Sequence, residues 1–503
     1  MDNKQIKWGA ILSYLATAFN IIAGIIYTPW MIREIGQADY GIYGVATSVI
    51  AICTMDLGLG TAISRFISKF QAEKREDKVE QFIGIVLKLY LLIDMIILSA
   101  LVVIFFLLQN IYVTFSPEEL HKLKVVFVIV GSFTVFSFPF SILNGIITAR
   151  EKFIFQKCVD IINKVGTILI MVLALSAGGG LYALVLVNAF MGCVVAFIKL
   201  FYLKKHGLLK INITYWDKTA LKEIFGFSIW ITVILILQRF ILNITPTILG
   251  ITSGAIQISI FTAAVTIEGY AYTLTGALSG LFLPKVSKIY YGRDGNIKDV
   301  EELLIKVGRI QLLVIGAVCA IFFGVGQEFI NLWLGENFGD AYFIAMCLLA
   351  PLLVTSTQGI ADVALTARGE NRYRAIGLSV TAFVAIALSF VLSIKWGAKG
   401  SAIGIFFGYL IGDIIVQNII YSKKLQINIK RFFVKCHMSM VIPIVLTFIC
   451  GIIMRELWYG KGWIFFMVKC TILTIIYLVL MWIIALNSNE KAIFGQIIKR
   501  FRK

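Results

Sequence analysis

Two ionisable residues stand deep inside long apolar runs, where a charge is costly unless it meets a partner, water or a ligand. At about 1.5 Å per residue, Arg239 lies about 20 Å into the run 226–249 and Glu268 about 18 Å into the run 256–283. Consecutive antiparallel helices would bring both near mid-depth. That makes Arg239 a candidate anion-contacting residue, and Glu268 its partner or a group that takes up a proton or cation; a buried structural ion pair is the competing reading. Asp56 is the acidic counterpart in an earlier run, as a coupling carboxylate or as a hydrogen-bonding partner of a neighbouring helix. Lys164 is also at mid-depth, but Asp160 precedes it by one helical turn, a spacing that favours a local pair. Lys88 and Arg309 lie close enough to the ends of their runs to snorkel. Asp94 and Asp413 are deep and have no partner visible in the sequence. Arg33, Arg65, Arg150 and Arg368 fall at helix ends, and His121, His206 and His437 read as surface residues near the interfaces.

Other chemistry is missing from the sequence. There is no GxxxxGK[ST] loop to cradle phosphates, no HExxH or GxSxG, and no TVGYG-like filter. The eight cysteines form no CxxC pair and lie in or beside apolar segments, as buried structural thiols do. Neither a metal site nor a cofactor is expected, and an enzyme is hard to place.

The elements that would carry these residues are membrane helices. Of 503 residues, 59% are hydrophobic and 15% charged, with mean hydropathy +0.90. Soluble domains run at about 45–50% apolar and about 25% charged. Disordered, collagen-like, coiled-coil and disulfide-scaffold classes are excluded with them. Apolar runs predict fourteen transmembrane helices, near 9–31, 41–63, 82–108, 125–147, 154–175, 181–203, 226–249, 256–283, 306–334, 341–366, 373–394, 400–421, 432–454 and 463–486. The segment before the first run lacks a small-x-small cleavage site, so that run is expected to remain as a span.

Charge alternation supports this count. With both termini cytoplasmic, 33 of the 46 Lys and Arg residues fall on the cytoplasmic side, seven on the other and six within helices. The net charge of +18 is explained by the same bias, so no nucleic acid is needed as a partner. No loop is long enough for a separate domain, which confines any function to the helices.

The chain also repeats itself at an offset of about 218 residues. Thr28-Pro29 matches Thr245-Pro246, and Val79-Glu80 matches Val300-Glu301. Lys88 matches Arg309, Thr148-Ala149-Arg150 matches Thr366-Ala367-Arg368, and Lys204-Lys205 matches Lys423-Lys424. Six spans per copy keep both copies in one orientation, the arrangement of transporters with parallel repeats and a substrate cavity at the repeat interface. The expected fold is thus an all-α membrane protein, with a lobe at 1–210, a second at 211–428, and two additional helices at 429–503. Six of the seven prolines lie in or at the ends of helices, as hinges or as static packing features.

The stretch Pro29–Tyr43 (PWMIREIGQADYGIY), then Asp56–Arg65 (DLGLGTAISR), with TARE and TARGE after helices 4 and 10, resembles the polysaccharide-repeat-unit flippases. These are Wzx-type members of the multidrug/oligosaccharidyl-lipid/polysaccharide exporter superfamily, and the likeness covers nearly the whole chain. It implies a MurJ-like fold in the bacterial cytoplasmic membrane. The cargo would be an undecaprenyl-diphosphate-linked oligosaccharide moved from the inner to the outer leaflet, with a proton or sodium gradient as the open choice for coupling. It also implies a cavity lined by helices 1, 2, 7 and 8, with Arg239, Lys164, Arg33 and Arg65 as substrate-binding cations and Glu268 and Asp56 as cavity acids. A groove of helices 13 and 14 would guide the lipid tail. Partners would be membrane lipids and the polymerase and glycosyltransferases of the same pathway. The alternatives are a drug/cation antiporter of the same superfamily and, more remotely, a membrane polymerase or glycosyltransferase.

Overall fold

Apolar runs flanked by charged turns make long helices, because in hydrocarbon every backbone polar group must be satisfied within its own segment. The computed structural model describes residues 3–54, 59–212, 214–215, 218–279, 286, 289, 297–458, 460, 462–488 and 490–492. In chain order the helices are α1 (Asn3–Ile35), α2 (Gln37–Cys53), α3 (Leu59–Ala72), α4 (Glu76–Ile111), α5 (Pro117–Ser137), α6 (Ile142–Ala149), α7 (Phe153–Ser176), α8 (Gly180–Lys205), α9 (Lys218–Asn243) and α10 (Thr245–Thr252). There follow α11 (Ala255–Ser279), α12 (Ile297–Trp333), α13 (Asp340–Leu349), α14 (Leu352–Thr355), α15 (Gly359–Ala367), α16 (Asn371–Gly408), α17 (Gln417–Leu425), α18 (Ile429–Phe433), α19 (Ser439–Leu457) and α20 (Trp463–Leu480). Among the described residues ten helices are long and apolar enough to span a membrane. One of them, Asn371–Leu425, is 55 residues long and is interrupted at Gly397, whose φ of 55° a side chain would resist. The protein is an all-helical, multi-pass membrane protein.

Several expected single helices are broken. The run 41–63 ends its first helix at Cys53 and resumes at Leu59; Asp56 lies outside the described residues. Pro139 splits the fourth run into α5, a 3-10 turn at Phe138–Ser141, and α6. Pro246 starts α10 and Pro351 separates α13 from α14, because proline lacks the donor that the preceding turn needs. Three π-helical turns, Tyr409–Val416, Val434–Met438 and Met481–Ala485, have no signature in the hydrophobic period.

By packing, the chain divides into one unit of Met1–Thr262 with Ser393–Ala398, and another of Ala263–Leu392 with Lys399–Lys503. These units follow packing and part at Thr262, whereas the sequence lobes follow the repeat and part near residue 210. In the first, α9 packs on α2 and α3, α4 on α5, and α7 on α8. In the second, α12 is the central helix. Its N-terminal half buries Val300 and Leu304 with Ile360, Ala364 and Phe432, and further along it buries Leu312 and Ile315 with Met440, Ile444 and Tyr477. Where α12 meets α19, a Cβ on Gly324 would stand 2.8 Å from the Cα of Gly451, so small residues set the helix separation.

The repeat is visible in matching contacts within each unit. Asn212 N donates to the Glu80 carbonyl at 3.1 Å, and Asn428 N donates to Glu301 Oε2 at 3.1 Å. Thr148 Oγ1 donates to the Asn144 carbonyl as Thr366 Oγ1 does to that of Asp362. Lys88 Nζ donates to the Tyr215 carbonyl at 3.2 Å, and the repeat-related Arg309 donates to the Lys435 carbonyl at 2.8 Å.

Arg309 does not snorkel. It is 6% exposed, and all of its N–H groups find acceptors. Nε and Nη2 grip the two oxygens of Glu490 at 2.6 and 2.8 Å, Nη1 reaches the Lys435 carbonyl and Ser439 Oγ, and Nη2 also reaches the Ala485 carbonyl at 2.6 Å. Both carbonyls belong to π turns, where the regular bonding ladder is loosened. One side chain thus fastens α12 to the last two helices.

Candidate functional site

In the first unit the four expected cations stand on four helices. Arg239, on α9, is exposed and has no side-chain partner among the described residues; its carbonyl accepts from Asn243 at 2.8 Å. Arg33 near the end of α1 is likewise exposed, and Arg65 is exposed on α3. Lys164, on α7, is half-buried and is not paired with Asp160. Asp160 sits 3.4 Å from Lys157 instead, on the other side of it in sequence. The spacing rule allowed either lysine, and Lys157 took the carboxylate, which leaves Lys164 without a partner among the described residues.

Lys199 on α8, one of the six Lys and Arg residues that the charge count leaves within helices, is 9% exposed and donates to Asn144 Oδ1 at 2.8 Å. Asp160 and Lys157 lie within its electrostatic reach. This is a small polar centre in the interior of the first unit.

The second unit holds a larger one. Glu268, on α11, is 8% exposed, and Tyr272 follows one turn later with its ring exposed. Asp362, on α15, receives Arg374 Nη1 on one carboxylate oxygen at 2.9 Å and the Tyr421 hydroxyl on the other at 2.8 Å. Asp413 stands in the π turn, within the fields of Asp362 and Arg374. Tyr409, one turn before it, interacts electrostatically with Glu268, Asp413 and Tyr272. Beside them Gln358 donates to Asn418 Oδ1 at 2.8 Å, while neither amide atom of the buried Gln417 has a partner among the described residues.

Three carboxyl groups and one guanidinium thus form a cluster within electrostatic reach of Tyr272. With all of them ionised it would carry an excess of two negative charges, which low-dielectric surroundings do not tolerate without a proton or a cation. Such a centre can take up and release a proton. The repeat puts Asp362 where the first unit has Asn144, so equivalent positions carry opposite electrostatics: acidic in the second unit, lysine-bearing in the first.

Sequence reading found Glu268 and flagged Asp413 as unpartnered. It does not single out Asp362 and Arg374, which lie near the facing ends of the runs 341–366 and 373–394. Their repeat relation to Asn144 and Gln156 is the signal that could have found them. His437 was also misread: it is buried at 8% exposure, its Nε2 within 3.3 Å of the Leu353 carbonyl, because the π turn rotates it inward.

Residues 6–289 match the model of a family described as polysaccharide biosynthesis protein. No curated protein matches the chain in sequence. Among solved structures, the chain is similar to the lipid II flippase MurJ in an inward closed conformation, with a TM-score of 0.74 and 16% identity over 93% of this chain and 98% of that one. It is also similar to a multidrug resistance MATE family transporter of the MOP superfamily in an inward-facing conformation, with a TM-score of 0.69 and 14% identity over 82% and 95% of the two chains. The Vibrio cholerae MATE transporter VcmN in the bent form gives a TM-score of 0.55 at 13% identity over 86% and 98%. At these identities the likeness is one of fold.

Proposed function

Because the chain belongs to the polysaccharide biosynthesis protein family, whose model covers more than half of its length, we propose that it is a flippase for an undecaprenyl-diphosphate-linked oligosaccharide, working by alternating access in a bacterial cytoplasmic membrane. The fold is that of MOP-superfamily transporters, and nothing in the chain points to catalysis. The observation that carries the reading is Arg239: an exposed guanidinium about 20 Å into a span is stable only where it meets water or an anion. A diphosphate supplies that anion, and a wet, cationic surface replaces the hydration that diphosphate and sugar lose on leaving water. Arg33, Arg65 and Lys164 add positive charge on other helices of the same unit. Asp56 keeps its sequence-based role as a cavity acid.

Glu268, with Asp413 and the Asp362–Arg374 pair, is the coupling centre in this reading. A proton or a sodium ion would balance its excess negative charge. For the lipid tail, a hollow of about 430 Å³ on the outer face of α20, lined by Trp463, Ile464, Met467, Val468, Thr471 and Ile472, offers an apolar track.

The same acidic cluster favours the second reading, a drug/cation antiporter. The two are separated by complementation. In cells lacking their own repeat-unit flippase, the wild-type protein should restore surface polysaccharide and Arg239→Ala should not, although it reaches the membrane in equal amount. Normal export by Arg239→Ala removes that residue from the site, and drug resistance without polysaccharide export supports the antiporter.

A further inference from the structure

In the second unit a group of cations gathers where α16 begins and α17 ends, and the proposed transport makes no use of it. The arms 371–392 and 399–425 pack side by side, so close that a Cβ on Gly408 would stand 2.7 Å from that of Ala385. They bring Arg372, at the start of one arm, near Lys423 and Lys424, at the end of the other. Tyr373 joins the two: its hydroxyl accepts from Arg372 Nη2 at 2.9 Å, and Lys424 Nζ lies 4.6 Å from the centre of its ring.

Neighbouring charges are already balanced. Arg374 meets Asp362 at 2.9 Å, and Arg368 meets Glu370 at 3.2 Å while also donating to the Lys424 carbonyl. Arg372, Lys423 and Lys424 are exposed, and among the described residues no carboxylate forms an ion pair with them. The Tyr373 hydroxyl, which accepts from Arg372, still has its own proton to donate.

Along each helix from these cations the surface is apolar. Ile376 and Phe383 follow Arg372 on one arm, and Ile419 and Ile415 precede Lys423 on the other; all four are exposed. In a membrane-spanning chain such side chains meet acyl chains, and the cations at their end stand at headgroup level. A soluble anion or an acidic protein would satisfy the charges and leave both apolar rows unused. An anionic phospholipid satisfies both features, with a phosphate for the cations and an acyl chain for each row.

We infer that Arg372, Tyr373 and Lys424 form a binding site for the headgroup of an anionic phospholipid, in the leaflet that borders the turn 368–370. Arg372 and Lys424 hold the phosphate, Tyr373 donates its hydroxyl proton to a phosphate oxygen, and Lys423 adds to the attracting field.

The test uses the full-length protein in phosphatidylcholine nanodiscs that contain a trace of phosphatidylglycerol with a photoactivatable diazirine in one acyl chain. Labelled peptides are identified by mass spectrometry. Each cation near an anionic headgroup is worth about fivefold in occupancy, so a probe with a choline headgroup should label the peptides carrying Ile376 and Ile419 about 25-fold less. Unlabelled phosphatidylglycerol should displace the anionic probe, and raised salt should weaken its labelling, as screening of surface charge requires. The Arg372→Gln, Lys424→Gln double variant should bring labelling there down to the choline level and leave that of the exposed face of α4 unchanged; Tyr373→Phe should lose a smaller part. If the double variant does not fold, the headgroup comparison and the displacement on the wild-type protein decide. Equal labelling by the two headgroups, labelling that the double variant retains, or displacement by undecaprenyl phosphate or inorganic phosphate at concentrations where phosphatidylglycerol has no effect would overturn the inference.

Discussion

Arg309→Met removes the guanidinium that joins α12 to the final two helices while keeping a side chain of similar length. Glu490, 15% exposed, is left without its cation, and the Lys435 and Ala485 carbonyls lose their donors. Deleting one member of a buried pair costs about 3–5 kcal/mol, because the survivor stays desolvated and unpaired. At about 2–4 °C per kcal/mol for a body of this size, the melting point should drop by about 6–20 °C. The assay is the fraction remaining monodisperse in detergent after heating, measured for Arg309→Met, Glu490→Gln and the double variant. Once Arg309 is gone, neutralising Glu490 should cost little or help, giving a coupling of about 0.5–3 kcal/mol. The pH dependence has a defined sign. Burial acts to raise the Glu490 pKa, but hydrogen bonds from Arg309 and the Asn487 backbone, with the guanidinium charge, outweigh it and hold the carboxyl below its usual range. Its contribution is therefore complete above the unfolded value of about 4.3 and is lost as pH falls through the lower folded value. An unshifted melting point for Arg309→Met, or two substitutions whose effects simply add, would refute the clasp.

Other outcomes follow from the second unit's interior. Glu268→Gln should change the pH or sodium dependence of transport while leaving the protein folded; an unchanged dependence excludes it as the coupling group. Arg374→Ala should destabilise more than the Asp362→Asn, Arg374→Ala double variant, since the single change strands a carboxylate 2.9 Å from the lost guanidinium; thermal melting of the three proteins decides it. Gly324→Val should push α12 and α19 apart, since a Cβ there would stand 2.8 Å from the Gly451 Cα, and cost about 1–3 kcal/mol, read as a lower melting point; an unchanged one would mean the crossing is slack.

The coarse fold was legible in the sequence for a physical reason: a helix that must satisfy its own backbone in lipid announces itself as a long apolar run, as 82–108 does within the helix Glu76–Ile111. The repeat was legible because landmarks such as Glu80 and Glu301, or Thr148 and Thr366, do the same local work twice. The helix breaks near Pro139, Pro246 and Pro351 could be read as prolines but not as geometry. The π turns could not be read at all, since an extra residue per turn leaves hydropathy unchanged. Partners distant in sequence were equally hidden. Nothing in spacing relates Arg309 to Glu490, or Asp362 and Arg374 to Asp413. Lys164 and Asp160 show the opposite error, a permitted spacing that a nearer competitor pre-empted.

The central claim is that the exposed Arg239, which has no side-chain partner among the described residues, serves a phosphorylated glycolipid during its passage. It is tested most directly by reconstituting the purified protein in vesicles loaded with a fluorescent undecaprenyl-diphosphate-linked oligosaccharide and following its arrival in the opposite leaflet with a membrane-impermeant quencher. The wild-type protein should move the lipid, Arg239→Lys should retain part of the rate, and Arg239→Ala should fall to that of protein-free vesicles. Equal rates for the wild type and Arg239→Ala, or no movement by any of them above empty vesicles, would contradict it.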